Sequence, residues 1–117
     1  MPVDGSMRLY NHLKKGIIEL GSLSHIRGRS IDNAIILADE VQNINADDMK
    51  TILTRAGTGT KFVLCGDVEQ IDNRDLDAMN NGLSRVIDAF KDSPLAGHMT
   101  FTKSVRSRLA EAAADLL

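Results

Sequence analysis

An α/β layered domain, with short buried strands joined through helices, is the fold class this sequence predicts, and three observations predict it. Ala34-Ile35-Ile36-Leu37-Ala38 is a continuous apolar run that stops at Asp39-Glu40. Phe62-Val63-Leu64-Cys65 is a second such run, stopped by Gly66-Asp67. Between them Met49, Ile52, Leu53 and Ala56 recur at helical spacing. A continuous rather than alternating run suits a strand buried on both faces, and the strand-helix-strand order makes the two strands parallel.

Each element then follows in chain order. The start, Met1 to Met7, is left out of fold reasoning, so residues 1–16 form an N-terminal segment and 17–117 the domain. Ile17-Ile18-Glu19-Leu20 reads as a short strand, and Ser24-His25-Ile26-Arg27-Gly28-Arg29-Ser30 as a polar, basic β-turn. After the 34–38 strand, Asn45 is placed to cap a helix whose first turn carries Asp47 and Asp48, where the helix dipole favours anions. Gly57 and Gly59 end that helix. Past the 62–65 strand and an Asp- and Asn-rich loop from Asp72 to Asn81, the residues Leu83, Val86, Ile87 and Phe90 predict a further helix. Pro94 and Gly97 punctuate the chain, Met99-Thr100-Phe101-Thr102 reads as a third strand, and Leu109, Ala112, Ala113 and Leu116 line one face of a final helix.

Composition excludes several functions. A chain of 117 residues is one domain at most, and 43% hydrophobic residues suffice for a core. A net charge of −2 marks no general polyanion binder, and four aromatics (Tyr10, Phe62, Phe90, Phe101) are too few for the stacking platforms of a general single-strand binder. Cys65 is the single cysteine, so there is no internal disulfide, and no Cys/His pairing has zinc-site spacing. No apolar run approaches the ~20 residues of a membrane span, so a membrane role is not expected and a reducing cytoplasmic setting is.

The chemistry should lie where parallel strands end, because ligands of open α/β sheets bind off the carboxyl edge. Asp39, Glu40 and Asp67 all fall there. A lone strand-terminal Asp is commonly a cap or a solvated loop residue. Four apolar residues followed by Asp-Glu is more specific: it is the Walker B pattern, in which the Asp holds Mg²⁺ and the Glu polarises an attacking water. Gln70, after the second strand, can orient a water or a phosphate oxygen as a neutral donor and acceptor. Arg27, Arg29, Arg55 and Arg106 offer forks that match phosphate, each of which would otherwise be an ordinary surface arginine.

From Lys15 to Leu117 the chain resembles the later part of the PhoH-like family of phosphate-starvation-inducible ATPases. The resemblance is carried by Ile26-Arg27-Gly28-Arg29-Ser30, Ile36-Leu37-Ala38-Asp39-Glu40-Val41-Gln42-Asn43, Leu53-Thr54-Arg55-Ala56-Gly57-Thr58-Gly59-Thr60-Lys61 and Gly66-Asp67-Val68-Glu69-Gln70-Ile71-Asp72. Asn81-Gly82-Leu83, Pro94-Leu95-Ala96-Gly97-His98 and Arg106-Ser107 are similar to the branch in which the ATPase follows an RNA-cleaving PIN domain. What the resemblance implies is a partial RecA-like P-loop NTPase, a parallel sheet with flanking helices. It implies that Asp39 holds Mg²⁺, Glu40 is the general base, Gln70 senses the γ-phosphate of ATP and Arg106 stabilises transferring charge. Asp67, Arg29 and Arg55 would then face the nucleotide. It also implies RNA as a partner, through Arg27 and Arg29, and a homo-oligomeric ring.

Two departures are mild: Ala38 stands where the family has a larger apolar residue, and Val41 where it has Ala. The third is an absence, since no Gly-x-x-x-x-Gly-Lys-Ser/Thr occurs. Gly57-Thr58-Gly59-Thr60-Lys61 has a similar composition but follows a helix and precedes a strand, the reverse of a phosphate loop. In the RecA-like sheet the phosphate-loop strand lies between the strand ending at Cys65 and the one around Phe101. Without it the 62–65 strand should expose an unpaired edge or close over the gap by an unusual pairing. The chain is therefore expected to be a piece of a longer protein, with the phosphate-loop half or a PIN-type nuclease domain as its missing partner, and ATP and Mg²⁺ bound only in a complete site. The alternative is a non-catalytic RNA- or protein-binding module, for which residues 1–30 carry five basic and two acidic side chains, a charge of +3. A nuclease built on Asp39, Glu40 and Asp67 is a third reading, less suited to the interposed Gln70.

Overall fold

The computed structural model describes residues 5–22, 28–102 and 106–117. Among these residues there are four α-helices and two strands: α1 (Gly5–Lys14), β1 (Ile35–Ala38), α2 (Ala46–Leu53), β2 (Lys61–Leu64), α3 (Gly82–Phe90) and α4 (Arg108–Leu116). A single 3-10 turn, Val41–Asn43, follows β1. The chain divides into two compact units, Met1–Val86 and Ile87–Leu117.

In the first unit β1 and β2 pair in parallel, with Ile36 opposite Phe62 and Ala38 opposite Leu64. The predicted strand-helix-strand unit is present, and its helix is capped as expected: the Asn45 side chain accepts from the Asp48 amide at 2.8 Å. That bond satisfies one of the donors a helix start leaves open. Met49 and Ile52 from the predicted stripe are 1% and 4% exposed and, with the fully buried Val41, form the apolar core. Burying each such side chain stabilises by about 1.5–3 kcal/mol. The helix stops at Leu53, earlier than Gly57. Gly57 instead lies against the chain entering β1, where its N–H donates to the Ile31 carbonyl at 2.7 Å and an added Cβ would strike Asp32 Oδ1.

Three expectations are corrected. Neither strand is buried on both faces: Ile35 is 76% and Leu37 69% exposed, while Ile36 and Ala38 are half-buried. In both strands half-buried residues alternate with exposed ones, so one face of the pair is partly covered and the other meets solvent. Ile17–Leu20 is not a strand, because the turn after helix α1 draws the Ile17 and Ile18 amides back to the His12 carbonyl. Gly16, at φ +74°, turns the chain so that its own N–H donates to Leu13 and the Ile17 N–H to His12, a Schellman ending. Met99–Thr102 is not a strand either: the sheet among the described residues consists of β1 and β2. The edge of β2 away from β1 is accordingly unpaired among the described residues.

Helix α1 forms within the N-terminal segment 1–16, for which the sequence predicts no element; none of its residues is buried. The predicted turn at 24–30 falls largely on residues 23–27, outside the described ones. In the second unit, α4 forms as predicted with Ser107 as its cap, accepting from the Ala110 amide at 3.2 Å. Its stripe is open to solvent, Leu109 and Leu116 being 80% and 82% exposed. Among the described residues no helix is long and apolar enough to cross a membrane.

Candidate functional site

Both acidic stops lie at the carboxyl end of the parallel pair, because β1 and β2 run in register and end together at Ala38 and Leu64. The Cys65 amide donates to the Ala38 carbonyl at 2.9 Å, and the Val41 amide returns to the Cys65 carbonyl at 3.1 Å. This exchange carries the ladder past the strands and lays the 3-10 turn across the end of β2.

At that turn Glu40 takes a left-handed backbone conformation, φ 56° and ψ 34°. A residue with a Cβ adopts it only when its surroundings hold it there. Asp39 Oδ1 accepts from the Glu40 amide at 2.9 Å, and the Asn43 amide donates to the Glu40 carbonyl at 3.1 Å. The Glu40 carboxylate receives a hydrogen bond from Gln42 Nε2 at 2.5 Å. Asp39 and Glu40 are exposed, whereas Gln42 is fully buried.

The segment after β2 closes on itself. Asp67 Oδ1 accepts from the Glu69 amide at 2.9 Å, Oδ2 from Gln70 Nε2 at 3.0 Å, and the Asp67 carbonyl from the Gln70 amide at 3.0 Å. Asp67 thus spends both carboxylate oxygens shaping the turn that carries Gln70. Gln42 ties this turn to β1: its Oε1 accepts from the Asp67 amide at 3.1 Å and its Nε2 donates to the Gln70 carbonyl at 3.2 Å. Beside it, Asn43 Oδ1 accepts from the Asp72 and Asn73 amides at 2.7 and 3.3 Å.

The structure therefore brings Asp39, Glu40, Asp67 and Gln70 to one edge. It puts Arg55 at the other: the Arg55 carbonyl accepts from Ile31 at 2.9 Å, and Ile31 pairs with Ala56 at the amino-terminal end of the strand pair. Arg29 is exposed and forms a 3.7 Å ion pair with Glu19. Arg106 belongs to the second unit, where it lines a shallow depression with Glu111, Ala114 and Asp115. Arg27 lies outside the described residues. Gln42 and Asn43 were not singled out from sequence. Their signal was two amides directly after an acidic strand end, with Gln42 set beside the apolar Val41 where burial demands hydrogen-bond partners.

The family model described as PhoH-like protein matches residues 3–117. Protein PhoH2 of Bacillus subtilis (strain 168) is 50% identical over 102 residues, which is 87% of this chain and 23% of that protein. Protein PhoH2 of Mycolicibacterium smegmatis is 36% identical over 105 residues, 90% of this chain and 24% of that protein. A PhoH-like protein of Bacillus subtilis (strain 168) is 47% identical over 60 residues, 51% of this chain. The chain spans about a quarter of the length of the first two relatives.

Proposed function

Because the chain belongs to the PhoH-like family, we propose that it carries the magnesium-coordinating and water-activating half of an ATP-hydrolysing site of RecA-like type, in a parent protein that works on RNA. The observation that supports this most is that one buried side chain, Gln42, bonds both the Glu40 carboxylate and the Gln70 main-chain carbonyl at the carboxyl end of a parallel strand pair. A water polarised by the Glu40 carboxylate and oriented by the Gln70 amide is the arrangement that hydrolysis of a terminal phosphate needs. Both residues are solvent-exposed.

Asp39 supplies one exposed carboxylate, an oxygen donor of the kind a hard cation takes. Among the described residues no group of three or more His, Cys, Asp or Glu side chains encloses a metal. Mg²⁺ commonly rests on one or two carboxylates, with waters and substrate phosphates completing its octahedron. Asp39 is the residue that would hold it; when bound, the ion would offset phosphate charge. The family resemblance gives Arg106, which belongs to the second unit, the stabilisation of transferring charge. The sequence has no Gly-x-x-x-x-Gly-Lys-Ser/Thr loop, so this chain by itself should turn over ATP negligibly.

Isothermal titration of the purified chain with a non-hydrolysable ATP analogue and Mg²⁺ tests the reading. Negligible binding by this chain alone is expected, since it carries no phosphate loop. Micromolar binding that Asp39→Ala abolishes overturns the half-site reading, because a phosphate cradle would then be supplied some other way. In a phosphate-release assay, magnesium-dependent turnover lost in Glu40→Gln would show instead that the site is complete.

A further inference from the structure

Gln42 is a polar side chain at 0% exposure among the core residues of the first unit. Burying an amide there is unfavourable unless each of its groups is paired. All are: Nε2 donates to Glu40 Oε2 at 2.5 Å and to the Gln70 carbonyl at 3.2 Å, and Oε1 accepts from the Asp67 amide at 3.1 Å. Only one orientation of the amide works. Turned over, its oxygen would face a carboxylate and a carbonyl, and its NH₂ would face an N–H. The neighbourhood leaves room for this side chain and no more, since a Cβ on Gly66 would come 2.5 Å from Gln42 Oε1 and 3.3 Å from the Gln42 nitrogen.

We infer that Gln42 is a positioning residue that couples Glu40 to the Asp67–Gln70 turn, so that the proposed water-activating carboxylate and the proposed phosphate sensor move together. The inference rests on the nucleotide reading for its purpose but not for its geometry. Hydrogen bonds sharing one donor group polarise each other, so a change of charge at Glu40 alters the bond to the Gln70 carbonyl. No other neutral side chain of this length offers a donor pair and an acceptor together. Glutamate at position 42 would keep an acceptor for Asp67 and set a second carboxylate against Glu40. Methionine would fill the space and make none of the three bonds.

The test is a double-mutant cycle read by amide chemical shifts of Asp67 and Gln70 in the purified chain. Glu40→Gln should move both shifts in the unmodified background, and by roughly threefold less in a Gln42→Met background. A merely space-filling Gln42 would leave the two effects additive. Shifts that respond equally in both backgrounds, or do not respond in the first, overturn the coupling. Should Gln42→Met lose its fold, Gln42→Leu, which likewise fills space and makes none of the three bonds, supplies the same cycle. The nucleotide titration is separate, so nucleotide binding with an intact cycle sinks the half-site reading alone, and additive shifts without binding sink the coupling alone.

Discussion

Gly66 and Gln42 touch so closely that a methyl group on the glycine would come 2.5 Å from the glutamine side-chain oxygen and 2.9 Å from Leu83 Cδ2. The glycine ending the second strand is thus required by what lies against it. Gly66→Ala should destabilise the chain by about 1–3 kcal/mol, the usual cost of overpacking. Chemical denaturation compared with the unmodified chain measures it, and a change under ~0.5 kcal/mol would show that the Gln42 side chain yields easily.

The left-handed backbone of Glu40, φ 56°, makes a prediction whose sign is diagnostic. At an ordinary position glycine is less stable than alanine by about 0.5–1 kcal/mol, because its unfolded chain is freer. At a left-handed position the Cβ of alanine costs about 1–2 kcal/mol instead. Both replacements remove the same carboxylate and its bond to Gln42, so their difference isolates the backbone. Glu40→Gly should therefore be the more stable of the two in urea denaturation. Alanine winning would mean the backbone relaxes out of the left-handed region.

Asn81 is fully buried at the start of α3. Its Oδ1 accepts from the Ser84 amide at 2.9 Å, and its Nδ2 faces the carbonyls of Asp77 and Ala78 at 2.9 and 3.2 Å and Ser84 Oγ at 3.0 Å. Asn81→Asp keeps the cap but turns a donor into a carboxylate oxygen aimed at two carbonyls. A helix cap alone is worth about 1 kcal/mol. Asn81→Asp should lose more than that at neutral pH, even though aspartate caps as well as asparagine in open helices. Equal stability of the two would show that the Nδ2 bonds contribute nothing net.

How much of this was legible from the residues depended on whether the cause was local. The Asn45 cap, the Met49 and Ile52 stripe and the acidic ends of both strands were all visible, because caps, helical period and strand stops are written within a few neighbouring residues. The strands at 17–20 and 99–102 were misread because strand formation needs a partner that short apolar runs do not reveal. The turn at Gly16 shows what competes: a glycine after a helix can fold the following isoleucines back onto it. In the candidate site the charged residues were visible by type. Gln42 was not, since its importance comes from three partners as far as 28 residues away in sequence.

The exposure of β1 supplies the last prediction. A run of five apolar residues looks like the centre of a core, yet Leu37 is 69% exposed while Ile52 on α2 is 4% exposed. The hydrophobic contribution scales with area removed from water, so two aliphatic side chains of equal size should behave oppositely when truncated. Ile52→Ala deletes atoms from a packed interior and should cost about 2–5 kcal/mol, transfer and cavity terms together. Leu37→Thr replaces an exposed aliphatic with a β-branched residue that suits a strand and should change stability by under ~0.5 kcal/mol. Urea denaturation of both variants side by side reads the contrast. A large loss in Leu37→Thr would mean that this face of the sheet is covered in the protein in solution.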